Sequence, residues 1–377
     1  MNCSLPGFGR LTARAFSAVV ALSLATVLHA GNPTINDGAV RISSNENAFG
    51  FSPKALERMK AALESGNYYN RNDVLDLVDL CAAKEGVRAD YIMTTPGSGP
   101  LLMMAAWAYA KPGANVVTSA MGYTQLTQAF VKHGGTIKFA PLSDKMGYDF
   151  KALGAAIDEH TEIVYICNPN NPTGVLADPA ELRQFVLSVP EKILVFVDEA
   201  YLELADSALI ANTAAPLVKL RKNLIVTRTF SKGYALAGLR VGYGIANPEV
   251  LAKLGAFSAG PPSYLAAIAA GESLKDTAHL EANRAKYKEV RDYSCKEFER
   301  LGIEYVKHPQ GAFIYFHSGM PDKALVSKLK GNSILISGSR ASGVPEGAYG
   351  DWARVSLGTK EQMDLFFGEM QKLLGKT

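Results

Sequence analysis

The stretch Thr229-Phe230-Ser231-Lys232-Gly233-Tyr234-Ala235-Leu236-Ala237-Gly238-Leu239-Arg240 sets a lysine beside two hydroxyl residues, with an arginine eight positions on. Upstream lie Asn168-Pro169-Asn170-Asn171-Pro172-Thr173-Gly174 and Asp198-Glu199-Ala200-Tyr201. The chemistry on offer is an amine, a carboxylate, a phenol, an amide and a guanidinium. The amine can form a Schiff base with a carbonyl compound. Thr229, Ser231 and Arg240 can hold one phosphate through hydroxyls and a two-pronged guanidinium. A neighbouring cation and loss of water both lower a lysine pKa, which favours imine formation at Lys232.

Each residue alone has a plainer reading. A lone lysine is usually a solvated surface group, and an Asp after a strand serves equally as a helix cap. Tyr201 alone would be a half-buried core tyrosine, and Asn171 sits in a loop whose Asn, Pro and Gly suit simple turn chemistry. Gly97-Ser98-Gly99, followed by Pro100, would pass for an ordinary tight turn; its free N–H groups at a helix start also suit a phosphate. Together, however, these groups are what an enzyme needs to hold pyridoxal phosphate and use it as an electron sink, with Asp198 keeping the pyridinium nitrogen protonated.

The elements that position them alternate. Strand-like runs Tyr91–Thr94, Asn115–Thr118, Thr136–Ala140, Ile163–Cys167, Ile193–Val197 and Leu224–Arg228 are separated by helical runs such as Leu101–Ala110, Thr124–His133 and Pro179–Leu187. This pattern predicts an α/β fold with a mostly parallel sheet covered on both faces, and ligands beyond the carboxyl ends of its strands. Every motif above follows a strand. Residues 273–301 read as a long charged helix. Strand-like runs Glu304–Lys307, Phe313–His317, Ile334–Ser337 and Ala353–Leu357 and a terminal helix Lys360–Leu374 follow, making a smaller α+β domain. The expected division is a segment 31–66 packing on the small domain and the site, a large domain 67–260 and a small domain 261–377.

The chain has 377 residues, 48% hydrophobic, with 39 basic and 36 acidic residues for a net charge of +3. That small excess gives no electrostatic case for nucleic acid. Cys3, Cys81, Cys167 and Cys295 form neither a disulfide framework nor a metal-ligand spacing, and Cys167 reads as a buried structural thiol. Arg10 and Arg14 precede the uncharged apolar run Ala15–Leu28, and Ala30 precedes Gly31-Asn32-Pro33. This is expected to be a signal peptide over residues 1–30, cut near Ala30, giving an exported protein. The protein would be cytoplasmic if that segment is not a working signal.

From Ser43 onward the chain resembles fold-type I pyridoxal phosphate enzymes of the class I/II aminotransferase group. It is most similar to histidinol-phosphate aminotransferases. The resemblance rests on Asn45-Glu46-Asn47, then Asn171, Asp198/Tyr201, Lys232/Arg240 and Arg354-Val355-Ser356-Leu357-Gly358 in that order. It implies a seven-stranded-type sheet and a homodimer. Lys232, Asp198 and Tyr201 would be catalytic. Ser98, Gly99, Thr229, Ser231 and Arg240 would hold the cofactor phosphate, with Tyr69 reaching the neighbouring subunit's. Asn171 and Tyr201 would bond the ring oxygen and Tyr123 would stack on the ring. Arg354, Phe49 and Asn47 would meet substrate, Arg354 through a carboxylate.

Two departures bear on substrate. The family usually reads Asn-Glu-Asn-Pro-Tyr, whereas here Ala48-Phe49 follow Asn47; the family's arginine after the strand near 334–336 is replaced by Ser337. A hydroxyl and a guanidinium for a substrate phosphate are thus lost, unless Arg340 compensates. The expected donor is therefore an amino acid, with a 2-oxo acid as acceptor. Other chemistry at Cα, or a non-catalytic cofactor-binding protein, is the alternative reading.

Overall fold

The computed structural model describes residues 38–339, 344 and 347–375. The expected signal peptide and Arg340 lie outside the described residues. Among those described, no helix is long and apolar enough to cross a membrane.

A short strand β1 (Val40–Arg41) opens the chain, and helices Pro53–Ala62 and Asn72–Glu85 follow. Seven strands then build one sheet: β2 (Ile92–Thr95), β3 (Asn115–Ser119), β4 (Thr136–Ala140), β5 (Thr161–Cys167), β6 (Leu194–Asp198), β7 (Leu224–Thr229) and β8 (Gly242–Ala246). Their order is β2-β8-β7-β6-β5-β3-β4. Only β8 runs against its neighbours, so the sheet is mostly parallel, as the sequence pattern predicts. Strands β6 and β7 are buried along their whole length, and β5 at every residue but Glu162, because helices cover both faces. Helix starts are fixed locally: Ser52, Asp178 and Asn247 each cap a helix with Pro at its first turn.

The second core belongs to the C-terminal part. Strands β9 (Phe313–His317) and β11 (Trp352–Ser356) pair antiparallel, while β10 (Ile334–Leu335) pairs parallel with β1. Helices Thr277–Arg300 and Lys360–Leu373 close this core around Phe298, Phe316, Phe366 and Phe367. A Thr359/Gln362 capping box starts the last helix.

Three expectations need correction. The division expected at residue 260 falls later, because helix Tyr264–Lys275 buries Ala266–Ala270 in the large-domain core. Part of the segment 31–66 goes with it: Ala55, Met59 and Ala62 join that same core, while β1 goes to the small domain. The helix expected over 273–301 is interrupted at Asp276, whose carboxylate accepts from Ser52 (2.6 Å) and Lys54 (2.9 Å) and leaves helical geometry. Finally, Glu304–Lys307 runs beside β9 but makes only an isolated bridge, Tyr305 with Phe316.

Because β8 is reversed, its first residue Gly242 sits level with Thr95 and Thr229, the last residues of β2 and β7. A Cβ on Gly242 would lie 2.6 Å from the Ser98 nitrogen, 2.7 Å from the Gly97 carbonyl carbon and 2.8 Å from the Arg228 oxygen. All three are backbone atoms that cannot swing aside. Gly242→Ala should therefore cost about 1–3 kcal/mol in urea unfolding, in the range of overpacked cores. It should also weaken anion binding at Ser98. An unchanged midpoint would show that the sheet edge relaxes freely.

Candidate active site

A cavity of about 450 Å³ lies at the carboxyl ends of β5, β6 and β7, a size usual for a small-ligand pocket. Its lining includes Ser98, Gly99, Tyr123, Asn171, Asp198, Tyr201, Thr229, Ser231, Lys232, Arg240 and Arg354. The fold thus brings together residues spread over more than half of the chain.

One end is built for an anion. Gly97 adopts φ 85°, and the Arg240 guanidinium occupies the space its side chain would fill. Ser98 then starts helix Gly99–Tyr109 with no side-chain cap, so the first amides of that helix keep open hydrogen-bonding capacity. Arg240 donates to the Ser231 hydroxyl (3.2 Å) and to the Ala237 carbonyl (2.7 Å). Thr229 Oγ1 accepts from the Ser231 amide at 3.1 Å. Hydroxyls, amides and a guanidinium converge there, which fits a phosphate group.

Asp198 is the last residue of β6 and is buried. Burial pushes its carboxyl up to about 6, against hydrogen bonding from Thr227 (3.0 Å) that favours the charged form. Lys232 follows β7 by three residues. Its Nζ donates to the carbonyls of Ser44 (3.1 Å) and Asn45 (2.9 Å). Burial first, then the Arg354 cation, hold its pKa down to about 8. The Tyr201 hydroxyl accepts from Asn45 (2.9 Å) and from Asn171 (3.5 Å), and burial raises its pKa well above the ordinary phenol value. Arg354 reaches in from β11 and donates to Asn171 Oδ1 (2.7 Å) and the Ser43 carbonyl (2.6 Å). Tyr123 donates to Gln125 (3.0 Å), which in turn bonds the Gly99 carbonyl (3.4 Å).

Two residues expected to meet substrate stand elsewhere, and Tyr69, expected to reach the neighbouring subunit's phosphate, faces outward. Asn47 does not line the cavity; its amide holds the backbone carbonyls of Lys232 (2.9 Å) and Gly233 (3.3 Å). Phe49 packs edge-on against Tyr287 at 5.1 Å and is not among the residues that line the cavity. Tyr69 is fully exposed on an apolar surface with Tyr68, Pro261, Pro262 and Tyr264, away from its own chain's cavity. The residues that do line the mouth from this segment are Ser44, Asn45 and Glu46, with the Glu46 carboxylate paired to Arg41 at 2.8 Å. Sequence spacing flagged Asn45-Glu46-Asn47 but not which members face inward. Gln125 and Met103 carried no sequence signal at all. Ser337 bonds Arg354 through the backbone.

A mostly parallel sheet whose strand ends gather a half-buried lysine, a buried acid and an anion cradle defines an enzyme of amine–carbonyl chemistry on a phosphorylated cofactor. Residues 38–368 match the family model described as aminotransferase class I and II. A histidinol-phosphate aminotransferase 2 of Carboxydothermus hydrogenoformans is 34% identical over 338 residues, 89% of this chain and 91% of that protein. The histidinol-phosphate aminotransferase of Moorella thermoacetica is 32% identical over 339 residues, 89% of this chain and 85% of that protein. The solved structure of histidinol-phosphate aminotransferase from Sinorhizobium meliloti, in complex with pyridoxal-5'-phosphate, superposes with a TM-score of 0.81. It is 27% identical and covers 89% of this chain and 91% of that one. The chain belongs to the aminotransferase class I and II family, and it is a transaminase.

The depressed Lys232 pKa makes a testable statement. The amine is neutral above about pH 8, so the apoprotein should react with pyridoxal phosphate faster as pH rises through 8 and level off beyond it. Removing a cation raises a lysine pKa, so Arg354→Ala should move that midpoint upward. A rate that keeps climbing toward pH 10 would mean Lys232 is an ordinary lysine.

Proposed function

We propose that this aminotransferase moves an amino group from an amino acid to a 2-oxo acid by a ping-pong mechanism, with pyridoxal phosphate as its cofactor. The observation that carries this reading is one cavity holding Lys232 and Asp198 between two cations, Arg240 and Arg354. Pyridoxal phosphate, when bound, supplies the electron sink that stabilises a substrate carbanion. Arg240, Thr229, Ser231 and the amides of Ser98 and Gly99 would hold its phosphate. Asp198 would pair with the ring nitrogen and keep a proton there. Asn171 and Tyr201 would bond the ring oxygen, and Tyr123 would lie against the ring. Lys232 Nζ would hold the cofactor, and its amine, with a pKa held down to about 8, would carry a proton from and to the substrate α-carbon.

Arg354 anchors a substrate carboxylate by two parallel hydrogen bonds, at the cost of exchanging its present partners. Among the described residues that line the cavity, the remaining cations are Lys232 and Arg240, and both have cofactor duties. A donor carrying both a carboxylate and a phosphate would therefore find no second cation there, whereas histidinol phosphate, which has no carboxylate, could present its phosphate to Arg354. The reading of an unphosphorylated amino-acid donor rests on Phe49 and Ser337, which stand where the resembled family has a tyrosine and an arginine, although relatives carry the histidinol-phosphate name.

The active unit in this reading is a homodimer. The exposed apolar surface around Tyr68, Tyr69, Pro261 and Tyr264 would pack on a second copy, and Tyr69 would complete the partner's phosphate site. Export rests on the charged-then-apolar pattern of residues 10–30 alone.

Purified holoenzyme should use one or more amino acids with kcat/KM well above that for histidinol phosphate. Arg354→Ala should raise the amino-acid KM by ten-fold or more while the cofactor stays bound. A ten-fold preference for histidinol phosphate would reverse the substrate assignment. Protein isolated from its native cell should begin near Gly31 and sediment as a dimer; a monomer retaining Arg10 and Arg14 would refute both statements.

A further inference from the structure

Beneath the cavity a row of side chains crosses the sheet. Cys167, Asp198 and Thr227 are register partners on β5, β6 and β7. Tyr165 lies two residues before Cys167, so it shares that face. Its ring packs edge-on against Phe196 with centroids 5.8 Å apart. Its hydroxyl is buried and makes no hydrogen bond. It nevertheless stands close enough to the Asp198 carboxylate and the Cys167 thiol to lower the pKa of both. A buried hydroxyl without a partner costs stability that a phenylalanine would not. Burial holds this phenol far above its usual pKa, so it keeps its proton and can only act as a neutral donor or acceptor.

We propose that Tyr165 is a positioning residue: its hydroxyl donates to the Asp198 carboxylate when that carboxylate is engaged with the cofactor, and holds it in its charged form. The inference rests on the reading of Asp198 as the partner of the cofactor ring. Thr227 already fixes Oδ1 of Asp198 and the Ala200 backbone amide also stabilises the charged carboxylate, so a further donor from β5 would brace it from the adjacent strand. The other groups acting on Asp198 are Lys232 from the loop after β7, Tyr148 from the segment before helix Phe150–Ala155, Cys167 on β5 and Tyr201 after β6. Burial keeps Tyr148, Cys167 and Tyr201 uncharged near neutral pH. Lys232 titrates in the working range, but equally with and without the Tyr165 hydroxyl.

The test compares wild type with Tyr165→Phe, using pyridoxal phosphate as the probe. Its affinity is measured by equilibrium dialysis from about pH 5 to 9, alongside the melting temperature of each apoprotein. Wild-type affinity should fall as pH drops through about 6, where Asp198 takes up a proton. In Tyr165→Phe that fall should begin about one to two pH units higher, since a hydrogen bond to a charged group favours ionisation by about that much. Binding at pH 7 should then be roughly two- to ten-fold weaker, while the apoprotein melts no lower than wild type. In an Asp198→Asn background the Tyr165 substitution should shift nothing. An unmoved midpoint overturns the proposal. A lower melting temperature with an unmoved midpoint also overturns it, and makes Tyr165 a packing residue. Failure of wild type to bind pyridoxal phosphate at any pH would sink the cofactor reading itself, and this inference with it.

Discussion

The site depends on one constraint: strands that run parallel must all end on the same edge of a sheet. Each of β5, β6 and β7 therefore delivers its next loop to one place, which is where Asn171, Asp198 and Lys232 arrive. The reversed strand β8 obeys the same geometry from the other direction. It starts where its neighbours finish, so Arg240, just before it, enters at that edge. Had β8 been parallel, Arg240 would have emerged at the opposite end, far from the phosphate cradle. The close approach at Gly242 is the local consequence of inserting that strand between β2 and β7.

The same strands carry a second set of charges on their other face. On β7, Thr227 bonds Asp198 while the adjacent Arg228 turns away and meets Glu199 at 3.3 Å, with Glu85 and Glu203 both at 3.5 Å. Lys84 bonds Glu203 at 3.0 Å, and Tyr243 donates to Glu85 at 2.6 Å. Glu199 and Glu203 belong to the segment that carries Asp198 and Tyr201. Alternation along a strand thus separates the polar groups of the cavity above the sheet from structural ones behind it. Burial raises the Glu199 carboxyl to about 7, so the cluster sheds part of its excess negative charge as a bound proton.

The small domain and the N-terminal segment complete what the sheet begins. Asn45 exchanges hydrogen bonds with Ser356 (2.8 and 2.7 Å) and donates to Tyr201, so it joins both domains. Ser44 and Asn45 carbonyls hold the Lys232 amine, and Arg354 spans from β11 to Asn171 in the large domain. Electrostatically the cavity sets cations against burial. Lys232 is destabilised as an ammonium while Asp198 is hard to ionise, which draws their two pKa values toward neutral pH.

Much of this was legible in the sequence. The strand and helix alternation gave the sheet its class, and the bounds of β4 and β9 match the strand-like runs to the residue. Lys232, Asp198, Asn171, Tyr201 and Arg240 were identifiable because a reactive group between turn residues after an apolar run points to a strand end. What the sequence could not decide was anything set by long-range packing. The period of β8 does not tell its direction, which only its neighbours fix. Helix Tyr264–Lys275 reads like its successor, yet its alanines fit the large-domain core and not the small one. In Asn45-Glu46-Asn47 the composition marks the segment, but which side chain faces the cavity depends on backbone turns such as the φ of 54° at Asn45. Phe49 and Tyr165 show the same limit from both sides. An aromatic near a motif was drawn into the small-domain core by Tyr287, and one inside an apolar run was left with its hydroxyl beside the acid. Local residue types set which groups are available, whereas burial and distance, which belong to the folded chain alone, set which of them meet.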